Sequence, residues 1–357
     1  MAKPAEPKKQ PKIVVSGVQP SGKSHIGNYA GSYRNWLKLQ DNPDYRCFFF
    51  IADYHSITEN YNPAVKRQQV FDLAADLLAL GLDPEKCTLF VQSDVPEHTE
   101  LSWIFNSVTP VSFLERMTQF KDKSGRQQEN INMGLFDYPV LMSADILIYK
   151  GELVPVGRDQ TQHVELTRDI AHFFNNKFGE TFPEAKPLYT ETPKLKSLTN
   201  PLKKMSKSLG ERSLIALTDE PEVIYDKIKS AVTESTGIIS LSEEELEHKM
   251  ALHAEAHEED QSLRGLAGVW NLFTLLKTFG SAEEADRLLA AQPIKYAELK
   301  RLVATRIAEH FADFRERRKK LVTKPKKVWE ILGAGAKEAR SAAKKTMTEV
   351  RERIGIR

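Results

Sequence analysis

Over the first half of the chain, short and continuous apolar runs alternate with stretches of helical periodicity. Ile13-Val14-Val15, Cys47 to Ala52 and Thr88 to Gln92 have the unbroken apolar character of buried strands, and Leu153 to Val156 reads as a fourth. Asn28 to Leu39 is a candidate helix. Val70, Phe71, Leu73, Ala74, Leu77 and Leu78 recur at helical spacing, with Gly81 as the stop. Asp137 is placed to cap a helix running through Tyr149, with Pro139 in its first turn, and a further helix is expected from about Asp159 to Phe178. This alternation predicts an α/β fold: a parallel sheet with helices on both faces. Ligands on such folds bind beyond the carboxyl ends of the strands.

After about residue 211 strand-like runs become scarce and helical periodicity takes over. An acidic stretch from Glu243 to Asp260 precedes a mostly helical, increasingly basic tail. Overall the chain carries +2, but residues 311–357 hold fifteen Lys/Arg against six Asp/Glu, a net of +9 that leaves −7 elsewhere. A basic end on an acidic body suits a polyanionic partner, although a solvated helix face has the same composition. The chain has 357 residues, of which 41% are apolar and 28% charged, and no stretch approaches the ~18 consecutive apolar residues of a membrane span. The first eleven residues, basic and proline-rich, read as a flexible arm with no signal peptide behind it. Two cysteines, Cys47 and Cys87, exclude a disulfide framework and fit a reducing cytoplasm.

Gly17-Val18-Gln19-Pro20-Ser21-Gly22-Lys23-Ser24 fits the phosphate-loop pattern G-x-x-x-x-G-K-[ST] between a strand and a helix. The run Phe48 to Ala52 ending in Asp53 resembles the magnesium-binding strand of such enzymes. A phosphate-loop NTPase or kinase therefore stands as one reading. Immediately downstream lies His25-Ile26-Gly27-Asn28, and far downstream Lys203-Lys204-Met205-Ser206-Lys207-Ser208. The first resembles the HIGH signature of class I aminoacyl-tRNA synthetases, with Asn28 in its last position. The second matches their KMSKS signature. Ser24 departs from the family, which usually has an apolar residue before the histidine.

Within that class the chain resembles the bacterial-type tryptophanyl-tRNA synthetases. The stretches carrying the likeness include Gly17 to Gly22, Asp53-Tyr54-His55-Ser56-Ile57-Thr58, Glu115 to Lys121, Tyr138 to Leu147, Val154 to Gln160 and Gln162 to Asp169. The resemblance implies a Rossmann-like nucleotide-binding catalytic domain over residues 12–210 and an α-helical, anticodon-binding domain over 211–357. It implies an ATP-dependent ligase that activates tryptophan and transfers it to tRNA, with magnesium accompanying ATP, no protein metal site, and a homodimer on which one tRNA bridges two subunits. By correspondence His25, Asn28, Lys204 and Lys207 are catalytic. Gln19, Pro20, Ser21, Gly22, Gly27, Lys121, Lys123, Gly157, Asp159, Gln160, Met205 and Ser206 join them in holding ATP. Asp145, Met142, His55, Gln19, Val154 and Val156 form the tryptophan pocket. At Val15 the family often has a larger aromatic residue.

The related tyrosyl enzymes are the nearest alternative, and they typically carry Gln three residues before the pocket Asp. Here that position is Met142, and Met142 and Asp145 share one helix face. Indole N–H is a donor only, which suits a carboxylate beside a polarizable thioether. Core packing accounts equally well for Met142 alone. His253 and His257 are four apart with His248 nearby, but no third metal ligand is evident and a charged, solvated face is the simpler reading. Trp36, Trp103, Trp270 and Trp329 read as core or interface residues.

Overall fold

A computed structural model describes residues 10–117, 132–190, 193–235, 237–239, 244–245, 263–291 and 293–356. The chain divides into two compact units, the first from Met1–Gly22, Asn35–Thr190 and Leu321–Arg357, the second from Lys23–Arg34 and Glu191–Lys320.

The first unit is built on five parallel strands: β1 (Lys12–Val18), β2 (Tyr45–Ile51), β3 (Cys87–Val91), β4 (Leu153–Val156) and β5 (Lys186–Tyr189). Their order is β3-β2-β1-β4-β5, so the sheet reverses direction of growth between β1 and β4. That is the switch point where open α/β sheets bind ligands. The apolar run of β2 places Phe48 and Phe50 in one core and Phe49 on the opposite face, stacked on Trp36 at 4.4 Å. Helix α3 (Pro63–Leu80) ends where Gly81 takes φ +109°, the left-handed conformation that glycine adopts without cost. Helices α2 (Arg34–Gln40), α4 (Glu97–Asn106), α5 (Val111–Glu115), α6 (Met133–Leu147) and α7 (Thr161–Phe178) also belong to this part.

Helix α6 begins a turn earlier than Asp137. Asn132 caps it by accepting the Leu135 N–H at 3.0 Å, and Asp137 instead accepts from Asn106 Nδ2. Pro139 thus stands inside the helix, and its own carbonyl takes the Ser143 hydroxyl. The long helix α13 (Pro325–Ile354) packs along β3, an edge strand. At Gly335 the approach is so close that a Cβ would lie 1.9 Å from Leu89 O. Covering the edge in this way removes a site for unwanted strand pairing. These compact units differ from a linear division at residue 210, because the buried stripe Ala336, Ala339, Ala343, Met347 and Val350 belongs to the sheet's core.

The second unit holds α1 (Ile26–Asn28), a wider π turn over Tyr29–Tyr33, and helices α8 (Pro221–Lys229), α9 (Arg264–Phe279), α10 (Ala282–Ala290), α11 (Tyr296–His310) and α12 (Ala312–Val322). A two-stranded antiparallel sheet pairs β6 (Ile238–Ile239) with β7 (Ile294–Lys295). The single helix expected from Asn28 is therefore interrupted. Its π turn brings Tyr29 against Phe279, His310 and Phe311, with the Tyr29 hydroxyl 3.0 Å from His310 Nε2. Such π turns are rare and concentrate at functional sites. The acidic stretch and the histidines His248, His253 and His257 lie outside the described residues.

Candidate active site

In the first unit, Asp145 is 1% exposed on α6, one face with Met142, which packs against the core. Three elements converge on its carboxylate. The carboxyl end of β3 delivers Gln92, whose Nε2 donates to Oδ1 at 2.7 Å. The first turn of α4 delivers His98, whose Nδ1 is 2.6 Å from the same oxygen. The turn after β2 delivers His55, whose Nε2 is 2.7 Å from Oδ2. Burial alone would push this carboxyl up, but the pull of His55 and His98 outweighs it and carries it down to about 2. Asp145 is thus an ionised acceptor at any physiological pH. A carboxylate has about four lone-pair positions, and among the described residues three are filled, leaving one beside His55.

Gln92, His98 and Tyr149, which bonds His98 Nε2 through its hydroxyl at 2.7 Å, are site residues the sequence reading missed. Gln92 ends a strand at the face where ligands bind, and that was the one available signal. His98 lies in the polar string Glu97-His98-Thr99-Glu100, which reads as an exposed helix start, yet it is fully buried.

Gln19, Pro20, Ser21 and Gly22 follow β1 at the switch point. The chain turns there, with Ser21 N–H donating to Gln19 O at 3.0 Å and Gly22 at φ +98°. Gly17, at this end of β1, is required by Phe50, since a Cβ would lie 2.4 Å from its ring. Val154 and Val156 are buried on β4, in the same core as Val15. Gly157 opens the turn Arg158–Gln160, and Gln160 N–H returns to its carbonyl at 3.0 Å. The Asp159 side chain, Lys121 and Lys123 lie outside the described residues.

In the second unit, His25 caps α1. Its Nδ1 accepts the Gly27 N–H at 3.2 Å, and its own N–H donates to Asn28 Oδ1 at 3.1 Å. Burial, then Lys207 and Lys204, lowers the imidazole to about 4. The ring is therefore neutral at pH 7, with its hydrogen on Nε2. Asn28 spends its amide oxygen on the cap and keeps its NH₂ as a donor. Glycine is needed at 27 because a Cβ would meet the His25 ring at 2.9 Å. The KMSKS segment is anchored by Met205, which is 3% exposed, while Lys204 is exposed and Lys207 half-buried. Met205 N–H donates to Leu195 O, and Ser206 Oγ accepts the Ser208 N–H. Two cations and a neutral imidazole donor thus surround one helix start, an arrangement suited to a polyphosphate.

The phosphate-loop reading of Gly17–Ser24 fails on two of its essential groups. That chemistry needs the Lys amine and the Ser hydroxyl to meet at the phosphates and magnesium. Lys23 is instead an exposed side chain 3.8 Å from Glu211, and Ser24 is 4% exposed with its carbonyl bound by Leu217 N–H and its hydroxyl 3.4 Å from the Tyr33 hydroxyl. Asp53, the supposed magnesium ligand, staples a turn by accepting Tyr54 N–H and Ser93 N–H on Oδ1.

Comparison with known proteins identifies the family. Residues 7–312 match the family described as tRNA synthetases class I (W and Y). A tryptophan–tRNA ligase of Rickettsia conorii is 41% identical over 351 residues, covering 97% of this chain and 99% of the relative. A second tryptophan–tRNA ligase of Streptomyces avermitilis is 42% identical over 347 residues, covering 96% of each. Among solved structures, the tryptophanyl-tRNA synthetase of Campylobacter jejuni complexed with ADP and tryptophan is 33% identical, with a TM-score of 0.79 over 96% of this chain and 99% of that one. The tyrosyl-tRNA synthetase of Archaeoglobus fulgidus, at 20% identity and a TM-score of 0.63, shares the fold. The chain belongs to the W and Y family of class I tRNA synthetases.

Proposed function

We propose that the chain is a tryptophan–tRNA ligase that consumes ATP. In the first step a tryptophan carboxylate oxygen attacks the α-phosphorus and pyrophosphate leaves, giving tryptophanyl-adenylate. In the second, a hydroxyl of the terminal ribose of tRNA(Trp) attacks the acyl carbon and AMP leaves. The observation that carries this reading is Asp145, a buried anion with one acceptor position left, matched to the single donor of an indole. Met142 and the valines Val154 and Val156 give the ring its apolar surroundings, and His55 and Gln19 face the amino acid. A site built around one buried hydrogen bond rejects an analogue lacking it by roughly 10⁴–10⁵.

On the phosphate side, His25 Nε2–H and the Asn28 amide donate to ATP, and Lys204 and Lys207 neutralise the charge that develops on pyrophosphate. Little covalent work is asked of the protein, since positioning and charge supply the acceleration. The turn after β1 (Gln19 to Gly22), Gly27, Gly157, Asp159, Gln160, Met205 and Ser206 hold the nucleotide, together with Lys121 and Lys123. Among the described residues no three His, Cys, Asp or Glu side chains converge as a metal site. Magnesium keeps its waters and enters on the phosphates of ATP, where it shields their charge.

The chain acts as a homodimer in the cytoplasm. Trp103, Val111 and Met133 are 76%, 61% and 74% exposed on α4, α5 and the first turn of α6, which suits contact with a second copy. Among the described residues no helix is long and apolar enough to cross a membrane. The helical segment from residue 211 holds the anticodon stem, and the basic residues of 311–357 meet tRNA phosphates. ATP–pyrophosphate exchange measured with each standard amino acid in turn tests the reading. Exchange with tryptophan alone is expected; exchange with tyrosine, or with none, overturns it.

A further inference from the structure

The carboxylate of Asp145 is held from behind by a chain of hydrogen bonds that no solvent reaches. His98 is fully buried, Tyr149 is 3% exposed and Asp145 1%. Because the ionised Asp145 only accepts, His98 Nδ1 carries a hydrogen and donates it to Oδ1 at 2.6 Å. Nε2 is then an acceptor, and the Tyr149 hydroxyl donates to it at 2.7 Å. The reverse polarity would leave the buried Tyr149 hydroxyl hydrogen with no acceptor among the bonds the described residues make.

The imidazole is also fixed by its neighbours. Its centroid is 5.8 Å from that of Phe50, 6.1 Å from Phe90 and 5.4 Å from Tyr149, and Tyr149 itself stacks on Phe48 at 4.5 Å. Strand β2 thus supplies two aromatic walls and strand β3 a third. In such a dry setting each bond of the chain strengthens the next, and all of them point at one carboxylate oxygen.

We infer that Tyr149 and His98 are positioning residues for amino-acid selection, a donor chain that holds Asp145 so that its last free acceptor position meets the indole N–H. The inference rests on the reading of Asp145 as the indole acceptor. It assigns to side chains that never touch tryptophan a share of the discrimination between an N–H and its absence.

The test measures kcat and KM in pyrophosphate exchange for tryptophan and for its benzothiophene analogue, in which sulfur replaces the ring N–H. The wild type, Tyr149→Phe, His98→Ala and His98→Asn are compared. The wild type prefers tryptophan strongly. Tyr149→Phe lowers that preference about threefold to tenfold, and His98→Ala about tenfold to a hundredfold, mainly through the KM for tryptophan. His98→Asn, whose amide can donate to Asp145 in place of Nδ1–H, recovers most of the preference. A wild type without tryptophan exchange overturns the functional reading itself. A wild type that discriminates, with variants that slow both substrates equally or keep the full preference, overturns the donor chain and leaves the functional reading standing.

Discussion

His25 Nδ1 accepts the amide hydrogen of Gly27, two residues along the chain, at 3.2 Å. The bond caps a helix of three residues and at the same time decides which nitrogen of the imidazole carries the hydrogen. A histidine in this position is a fixed donor, not a proton carrier.

The titration of His25 follows. Its ordinary value of 6.5 falls to about 4 in the folded chain, by burial first and then by Lys207 and Lys204. Between these values the unfolded chain binds a proton that the folded chain refuses. The stability this group contributes is complete above pH 6.5 and is lost as pH falls through the window toward 4. Imidazole resonances followed by NMR place the midpoint near 4, and a midpoint at 6.5 or above contradicts the assignment. His25→Asn removes this part of the acid sensitivity in denaturation measured across the same window.

The three lysines flanking these signatures behave differently. Lys23 is exposed and its nearest acid is the equally exposed Glu211, so Lys23→Ala changes kcat less than about threefold, as surface ion pairs contribute little. Lys204→Ala or Lys207→Ala removes a cation from the leaving group and lowers kcat about 10²-fold or more. Rates of exchange for the three variants distinguish the cases. Loss of all activity in Lys23→Ala with normal Lys204→Ala would restore the phosphate-loop reading.

Two glycines on α13 make opposite predictions. At Gly335 a Cβ would stand 1.9 Å from a backbone oxygen of β3, so Gly335→Ala forces helix and strand apart and costs about 1–3 kcal/mol. At Gly333 a Cβ meets nothing within 4 Å, and Gly333→Ala stabilises the helix by up to about 1 kcal/mol through propensity. Urea denaturation of the two variants checks both signs.

Binding of tRNA should weaken steeply with salt. If the lysines and arginines of residues 311–357 meet phosphates, each neutralised phosphate contributes about −0.7 to −0.9 to the slope of log K against log salt. Replacing Lys344 and Lys345, adjacent exposed residues between the buried Ala343 and Thr346 on α13, by Ala reduces the slope without altering tryptophan-dependent exchange. An unchanged slope removes those two side chains from the contact.

Much of the α/β unit was legible because buried parallel strands leave continuous apolar runs. β1 to β4 fall within a few residues of Ile13-Val14-Val15, Cys47 to Ala52, Thr88 to Gln92 and Leu153 to Val156. β5 was not legible, since Lys186-Pro187-Leu188-Tyr189 is a half-exposed edge strand whose proline reads as a breaker. Nor was the return of α13 to the sheet. Its basic composition suggests a solvated helix, and only the small-residue stripe of Gly335, Ala336, Ala339 and Ala343 reveals how closely it packs. Local signatures carried His25, Asn28 and the KMSKS lysines, and helical spacing carried Met142 with Asp145. His98 and Tyr149 escaped, because their chemistry arises from contacts 47 and 51 positions apart along the chain, between residues that pattern alone does not connect.

Substitution of Asp145 by Asn tests the central claim most directly. The change keeps shape and burial but exchanges an ionised acceptor for a neutral amide. Tryptophan-dependent pyrophosphate exchange by Asp145→Asn is expected to lose at least about 10²-fold in kcat/KM, chiefly through KM for tryptophan and with KM for ATP unchanged. A variant that charges tryptophan within about threefold of the parent would contradict the account, since the hydrogen-bond difference at stake is far larger than that.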